Sequence, residues 1–160
     1  MLVLHYCRSW FAAKRLALEP LSEGEARRRH ASAQSYCVLV GSNTHPACVV
    51  KVTAKFVGVD FLDENLQEKL TYHFQERAPG MLFLTMAVHR EFLEDTDRVA
   101  RGTSYTFQLD GRATIRKEEF VPAHSVEVAD ITFDTAANWE EYPPFGAYER
   151  FLEAERGHAC

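Results

Sequence analysis

The residues of this chain that could do chemistry fall into small groups, each suited to different work. Asp60, Asp63 and Glu64 form one acidic cluster, and Glu91, Glu94, Asp95 and Asp97 form another. Either set of carboxylates could hold Mg²⁺ or serve as an acid/base pair. Both follow apolar runs, which places them on loops after strands, where solvated loop charge is the plain reading and steering of a basic partner is equally served. Cys7 beside Arg8, with His5 two residues earlier, has the make-up of an activated thiol, because nearby cations favour the thiolate; no third group completes it. Seven histidines invite a zinc hypothesis. Their spacing argues against it: a turn centred on Pro79 sets His73 against Thr85 and His89 against Lys69, while His5, His30, His45, His124 and His158 are isolated. The run Arg27, Arg28, Arg29, His30 reads as a solvated helix face or a poorly ordered segment rather than a phosphate site. No Walker A, GxGxxG, GxSxG, HExxH or CxxC pattern occurs, which removes the enzyme classes that announce themselves locally. The sequence assigns no catalytic residue, no cofactor and no metal ligand.

The elements that must position these groups are organised around Met81 to Phe92, MLFLTMAVHREF. Leu82, Leu84, Met86 and Val88 point one way and Met81, Phe83, Thr85 and Ala87 the other, the pattern of a strand covered on both faces. A buried helix is the rival, and Pro79-Gly80 before the run favours the strand. Leu70, Tyr72 and Phe74 alternate ahead of that turn, so residues 69–89 are expected to form a hairpin. Ala47 to Phe61 reads as one long strand whose apolar phase flips at Gly58, the mark of a bulge and bend. Tyr105, Phe107 and Leu109, then Asp110-Gly111, then Ala113 and Ile115 predict a hairpin with a two-residue type I′ turn. Val126 to Phe133 is a further strand after Pro122. Ser22 and Glu25 match a capping box ahead of a helix over about Glu23 to Ala33. Trp10 to Leu18 carries a weaker helical spacing, which leaves residues 8–34 helical or poorly ordered. Ala147 to Arg156 predicts a final helix stopped by Gly157. The expected fold is a single α+β domain over residues 1–160: a mainly antiparallel, bent sheet with an N-terminal helical segment and a C-terminal helix packed on it.

A chain of 160 residues that is 46% hydrophobic can bury a proper core. No stretch approaches a membrane span and the first residues lack a cleavage site, so the chain reads as soluble and cytoplasmic. Cys7, Cys37, Cys48 and Cys160 are expected to be free thiols; a Cys37–Cys48 bridge would require an oxidising compartment. The net charge of −5 is uneven, with six acids against two arginines over residues 134–156. Direct nucleic-acid binding is not expected, and a basic protein partner is the natural complement.

The segments VDFLDENLQEKLTYHFQ, LFLTMAVHREF, YTFQLDGRATI and NWEEYPPFGAYERFLEAER, in this order, resemble small bacterial single-domain proteins encoded beside secreted polymorphic toxins, where such proteins act as immunity proteins. The resemblance covers roughly residues 57–156 and is one of texture. It implies a cytosolic, non-catalytic protein that binds and blocks its own toxin. Tight interfaces rest on a few anchors inside a rim, and the expected anchors are Glu94, Asp95 and Asp97, joined by Glu140, Glu141 and Tyr142 if the fold brings the groups together. The competing expectation is a small enzyme or ligand-binding protein with a pocket between sheet and C-terminal helix, lined by Tyr72, Phe74, Trp139 and Tyr142.

Overall fold

Alternation of apolar and polar residues carries most of this chain into strands. The computed structural model describes residues 2–156. It contains β1 (Leu4–Phe11), β2 (Leu16–Leu21), α1 (Glu23–Ala31), β3 (Tyr36–Val40), β4 (Cys48–Thr53), β5 (Phe56–Leu62), β6 (Glu68–Ala78), β7 (Met81–Phe92), β8 (Val99–Phe107), β9 (Arg112–Glu119), β10 (Ser125–Thr132) and β11 (Trp139–Glu141). Ten strands lie in the order β10-β9-β8-β7-β6-β5-β4-β3-β1-β2, and β11 joins by pairing with β7. Every pairing is antiparallel.

This corrects the expected α+β arrangement: the protein is mostly β, and α1 is the one α-helix among the described residues. The capping box forms, with Ser22 N–H donating to Glu25 Oε2 at 2.9 Å and Glu25 N–H to Ser22 Oγ at 3.1 Å. The weaker helix expected over Trp10 to Leu18 is absent. Residues 12–15 instead form a turn, with Arg15 at φ 55°, and the flanking residues pair as β1 and β2. The expected C-terminal helix shrinks to a single 3₁₀ turn, Glu149–Leu152. Such a turn repeats every three residues, which points Tyr148 and Phe151 into the same core. Gly157, expected to stop the helix, lies outside the described residues, as do His158 and Cys160.

Two further expectations about local geometry are also corrected. Ala47 to Phe61 is two strands, β4 and β5, joined across Ala54 and Lys55 with Lys55 at φ 65°; the phase flip marks that hairpin, and the register runs unbroken through Gly58. A side chain there would meet the Phe56 ring, whose atoms lie 3.1 Å from a Cβ built on Gly58. The β8–β9 hairpin forms where Asp110-Gly111 marks it, but only Gly111 has positive φ. Gln108 N–H donates to Arg112 O and Gly111 N–H to Gln108 O, a type I turn closed by a glycine bulge.

The organising strand is β7. Its C-terminal half pairs with β8 and its first residues, Met81 to Phe83, pair with β11 on the edge that β8 vacates. Bulges against β6 shift the expected register, so that His73 faces Met86 and Leu70 faces His89. The main core lies on the face covered by α1 and the C-terminal segment, around Tyr36, Tyr72, Phe74, Leu82, Leu84 and Phe151. A smaller core on the opposite face gathers Cys7, Trp10, Cys37, Leu39, Val49 and Leu62.

Candidate partner-binding surface

The loop members of the two acidic clusters, Asp63 and Glu64 of one and Glu94, Asp95 and Asp97 of the other, meet at one end of the sheet, whereas Asp60 lies within β5 and Glu91 within β7, paired with Arg101. Between β5 and β6, Asp63 Oδ1 accepts the N–H groups of Asn65 and Gln67 at 2.8 and 3.0 Å, which folds the loop tightly. Between β7 and β8, Leu93 N–H donates to Arg98 O and Asp95 takes φ 59°. Gln67 joins the loops, its Nε2 donating to Thr96 O at 2.6 Å and to Asp97 Oδ1 at 3.0 Å. Glu64, Glu94 and Asp95 are exposed on the resulting rim, with Asp63 half-buried beside them. Arg98 lies in the same loop as the one exposed base. Asp97 differs from its neighbours, because Arg15 from the β1–β2 turn forms an ion pair with it. That contact ties the β1–β2 hairpin to the far side of the sheet and occupies the carboxylate.

The second group of expected anchors sits elsewhere. Glu140 to Tyr142 lie beside the first residues of β7, whereas the acidic loop follows its last residue. At about 3.3 Å per residue, the twelve-residue strand puts them roughly 35 Å apart. Glu140 is buried and bonded to Arg150 Nε at 3.1 Å and Arg156 Nη2 at 2.5 Å. Arg156 also donates to Arg150 O at 2.8 Å and lies over the Phe74 ring. Tyr142 donates its hydroxyl to Thr53 O at 2.8 Å. Of this group, Glu141 alone is exposed.

Three further clusters depend on register and escaped sequence reading. On the face of the smaller core, Asp60 is buried with Lys51 Nζ at 2.9 Å and Thr71 Oγ1 at 2.9 Å, and Arg90 donates to the same threonine at 3.0 Å. Burial pulls the Lys51 ammonium down, but Asp60 outweighs it and leaves the lysine above its usual pKa. Burial first, and Asp60 second, raise the neighbouring Glu68. Cys7 and Cys37 face each other across β1 and β3 as free, buried thiols. Cys7, Cys37 and Cys48 are free thiols, as expected, and Cys7 is engaged by Cys37 and Ser9 O rather than by His5 or Arg8. On the main-core face, His30 Nδ1 lies 2.8 Å from Tyr36 Oη, which lies 2.8 Å from Tyr148 Oη. Burial lowers His30 and raises both tyrosines, so at neutral pH the chain is uncharged and serves to join α1 to the C-terminal segment. A polar residue in an apolar alternation, as Lys51 and Asp60 are, was the only available signal.

The aromatics expected to line a pocket are core. Tyr72 and Phe74 are fully buried, Phe74 meets Phe151 edge-on at 5.0 Å, and Tyr72 donates to Ala154 O at 2.5 Å. Trp139 packs on Phe83, and the shallow groove beside it has about 380 Å³. Among the described residues no three His, Cys, Asp or Glu side chains converge as metal ligands, and no helix is long and apolar enough to cross a membrane. No protein-family model matches the chain, and no curated protein or solved structure matches it either.

Proposed function

We propose that this chain is a non-catalytic binding protein that neutralises a basic protein partner by covering its surface, in the manner of an immunity protein acting on a co-encoded bacterial toxin in the cytoplasm. The observation that carries the reading is the rim on which Asp63, Glu64, Glu94 and Asp95 converge, held by the Gln67 bridge on rigid strands. Fixed charges of one sign accelerate and orient association with a partner of the other sign. Asp97 and Glu140 act within the fold, and the exposed acids of the rim make the contact. The alternative, a small enzyme or ligand-binding protein, has less support, because Phe151 fills the space in which its pocket was expected.

The test is binding to the protein encoded beside this one. Reversing Glu94 and Asp95 to lysine is expected to slow association about tenfold at low salt and to lose most of that effect at high salt. Unchanged association by the folded double variant would overturn the assignment.

A further inference from the structure

The two edges of this sheet are finished differently. The β2 edge is blunted: Pro20 lies within the strand, Glu19 takes φ 52°, and the Arg8–Glu19 ion pair crosses β1 and β2. These are devices that discourage another strand from adding. The β10 edge has none of them. Its register with β9 runs through eight consecutive pairs without a shift, it contains no proline, and all eight of its residues are exposed. Val126, Val128 and Ile131 are among the exposed large apolar residues, Val128 at 63%.

The phase of its free backbone groups follows from the ladder. Phe133 N–H donates to Gly111 O at 2.9 Å in continuation of the β9–β10 register. Bonded pairs alternate in an antiparallel ladder, so residues 125, 127, 129 and 131 bond to β9. Val126, Val128, Asp130 and Thr132 direct their N–H and C=O groups outward. Residues 118–132 contain four acids and no lysine or arginine. On β9, Arg112 is engaged by Asp110 and Arg116 by Glu118, which leaves Lys117, opposite Glu127 in the ladder, as the one exposed base beside β10 among the described residues.

We propose that β10 is a docking edge for an extended segment of a different protein, one that alternates apolar residues with lysine or arginine and adds to the sheet as an antiparallel strand. This rests on the binding-protein reading above and supplies its mode of contact. The incoming strand satisfies the four outward residues of β10, apolar side chains meet Val126 and Val128, and bases meet Glu127 and Asp130. The β9–β10 loop lies at the same end of the sheet as the acidic rim, since Phe120 N–H donates to Ala100 O at the start of β8. One partner can therefore reach both. A second copy of this chain fits poorly. The phase allows two-fold pairing centred on Val128 or Ala129, which sets Asp130 against a valine of the other copy, or centred on Glu127 or Asp130, which sets like carboxylates together. A foreign strand supplies the base that β10 lacks.

The probe is the synthetic peptide Thr-Val-Lys-Thr-Val-Lys-Val-Thr, whose lysines fall opposite Asp130 and Glu127 in antiparallel register, added to the full chain and read by NMR and amide exchange. Binding is expected to slow exchange at Val126, Val128, Asp130 and Thr132 about tenfold or more, while the alternate amides, already bonded to β9, change little. Val128→Pro removes only an outward N–H, a place where an edge strand tolerates proline; it should leave the fold intact and weaken the peptide about tenfold or more. A joint Glu127→Lys, Asp130→Lys variant should lose this peptide and gain one carrying glutamates in place of the lysines. No binding at millimolar peptide, protection at other amides, or a free-chain dimer that Val128→Pro dissolves would overturn the proposal. Loss of the edge with a persisting effect of Glu94 and Asp95 reversal would refute this mode of contact alone.

Discussion

Replacing Glu140 by glutamine separates a structural role for this residue from the role of a partner anchor. The carboxylate is 7% exposed and faces Arg156, whose side chain is 3% exposed, at 2.5 Å. Glutamine keeps the shape and one acceptor but leaves the buried guanidinium with only the exposed carboxylate of Glu153, 4.0 Å away, as a counter-charge. Removing one member of a buried pair costs about 3–5 kcal/mol, a large share of the roughly 5–15 kcal/mol that holds a domain folded. Arg150, bonded to the same carboxylate, is 72% exposed. Its replacement by alanine should cost only about 0–1 kcal/mol. Urea unfolding followed by the fluorescence of Trp10 and Trp139 measures both. With a slope of about 2–3 kcal/mol per molar urea, Glu140→Gln should lower the midpoint by roughly 1–2 M and Arg150→Ala by a few tenths. A Glu140→Gln midpoint within about 0.2 M of the parent would refute the reasoning and return Glu140 to the surface role first expected of it.

Phe151→Ala empties a fully buried site against Phe74 and should cost about 3–5 kcal/mol in the same assay; a cost near 1 kcal/mol would mean that the C-terminal segment is not part of the core. Gly111→Ala imposes a side chain at φ 88° with Phe133 O 3.3 Å from the new Cβ, and should cost about 1–2 kcal/mol; no loss would argue against the glycine bulge. Burial holds His30, His73 and His89 below the ordinary 6.5. The unfolded chain therefore takes up protons first, and their contribution to stability is present above pH 6.5 and lost as the pH falls below it. Glu68, raised by burial, works in the opposite sense as the pH rises above 4.5, so the experiment is best done in a Glu68→Gln background. The urea midpoint should fall on acidification below pH 6.5, and an NMR titration of His30 at or above 6.5 would contradict it.

The hairpins were legible because their signals are local. Pro79-Gly80 and Asp110-Gly111 each lie between alternating runs, and each joins two strands as expected. The turn type at Asp110-Gly111 was less legible, because one residue of loop length separates a type I′ turn from a type I turn with a bulge, and dipeptide composition suits both. The phase flip at Gly58 suits a bend, and a hairpin at Ala54 and Lys55 produces the same flip. Nothing in a non-glycine Lys55 announces a left-handed conformation. The stripe of Tyr148, Phe151 and Leu152 fits a helix and a 3₁₀ turn alike over so few residues.

For the candidate surface, the sequence by itself determined which residues are charged, that Asp63, Glu64, Glu94, Asp95 and Asp97 fall in loops after strands, and that Ser22 starts a helix, because each follows from neighbours within a few positions; Asp60 and Glu91, expected in the same loops, lie within β5 and β7. It could not say which carboxylates are free. Asp97 is taken by Arg15 from a turn 82 residues away in sequence, and Glu140 by Arg156 beneath the C-terminal segment. Only the tertiary structure decided that Asp63 and Glu64 join Glu94 and Asp95 on one rim, that Glu140 to Tyr142 belong to the other end of β7, and that β10 rather than an internal strand forms the open edge. The physical reason is that strand order and register are set by long-range pairing and the burial it allows, and one residue of register exchanges the two faces of a strand.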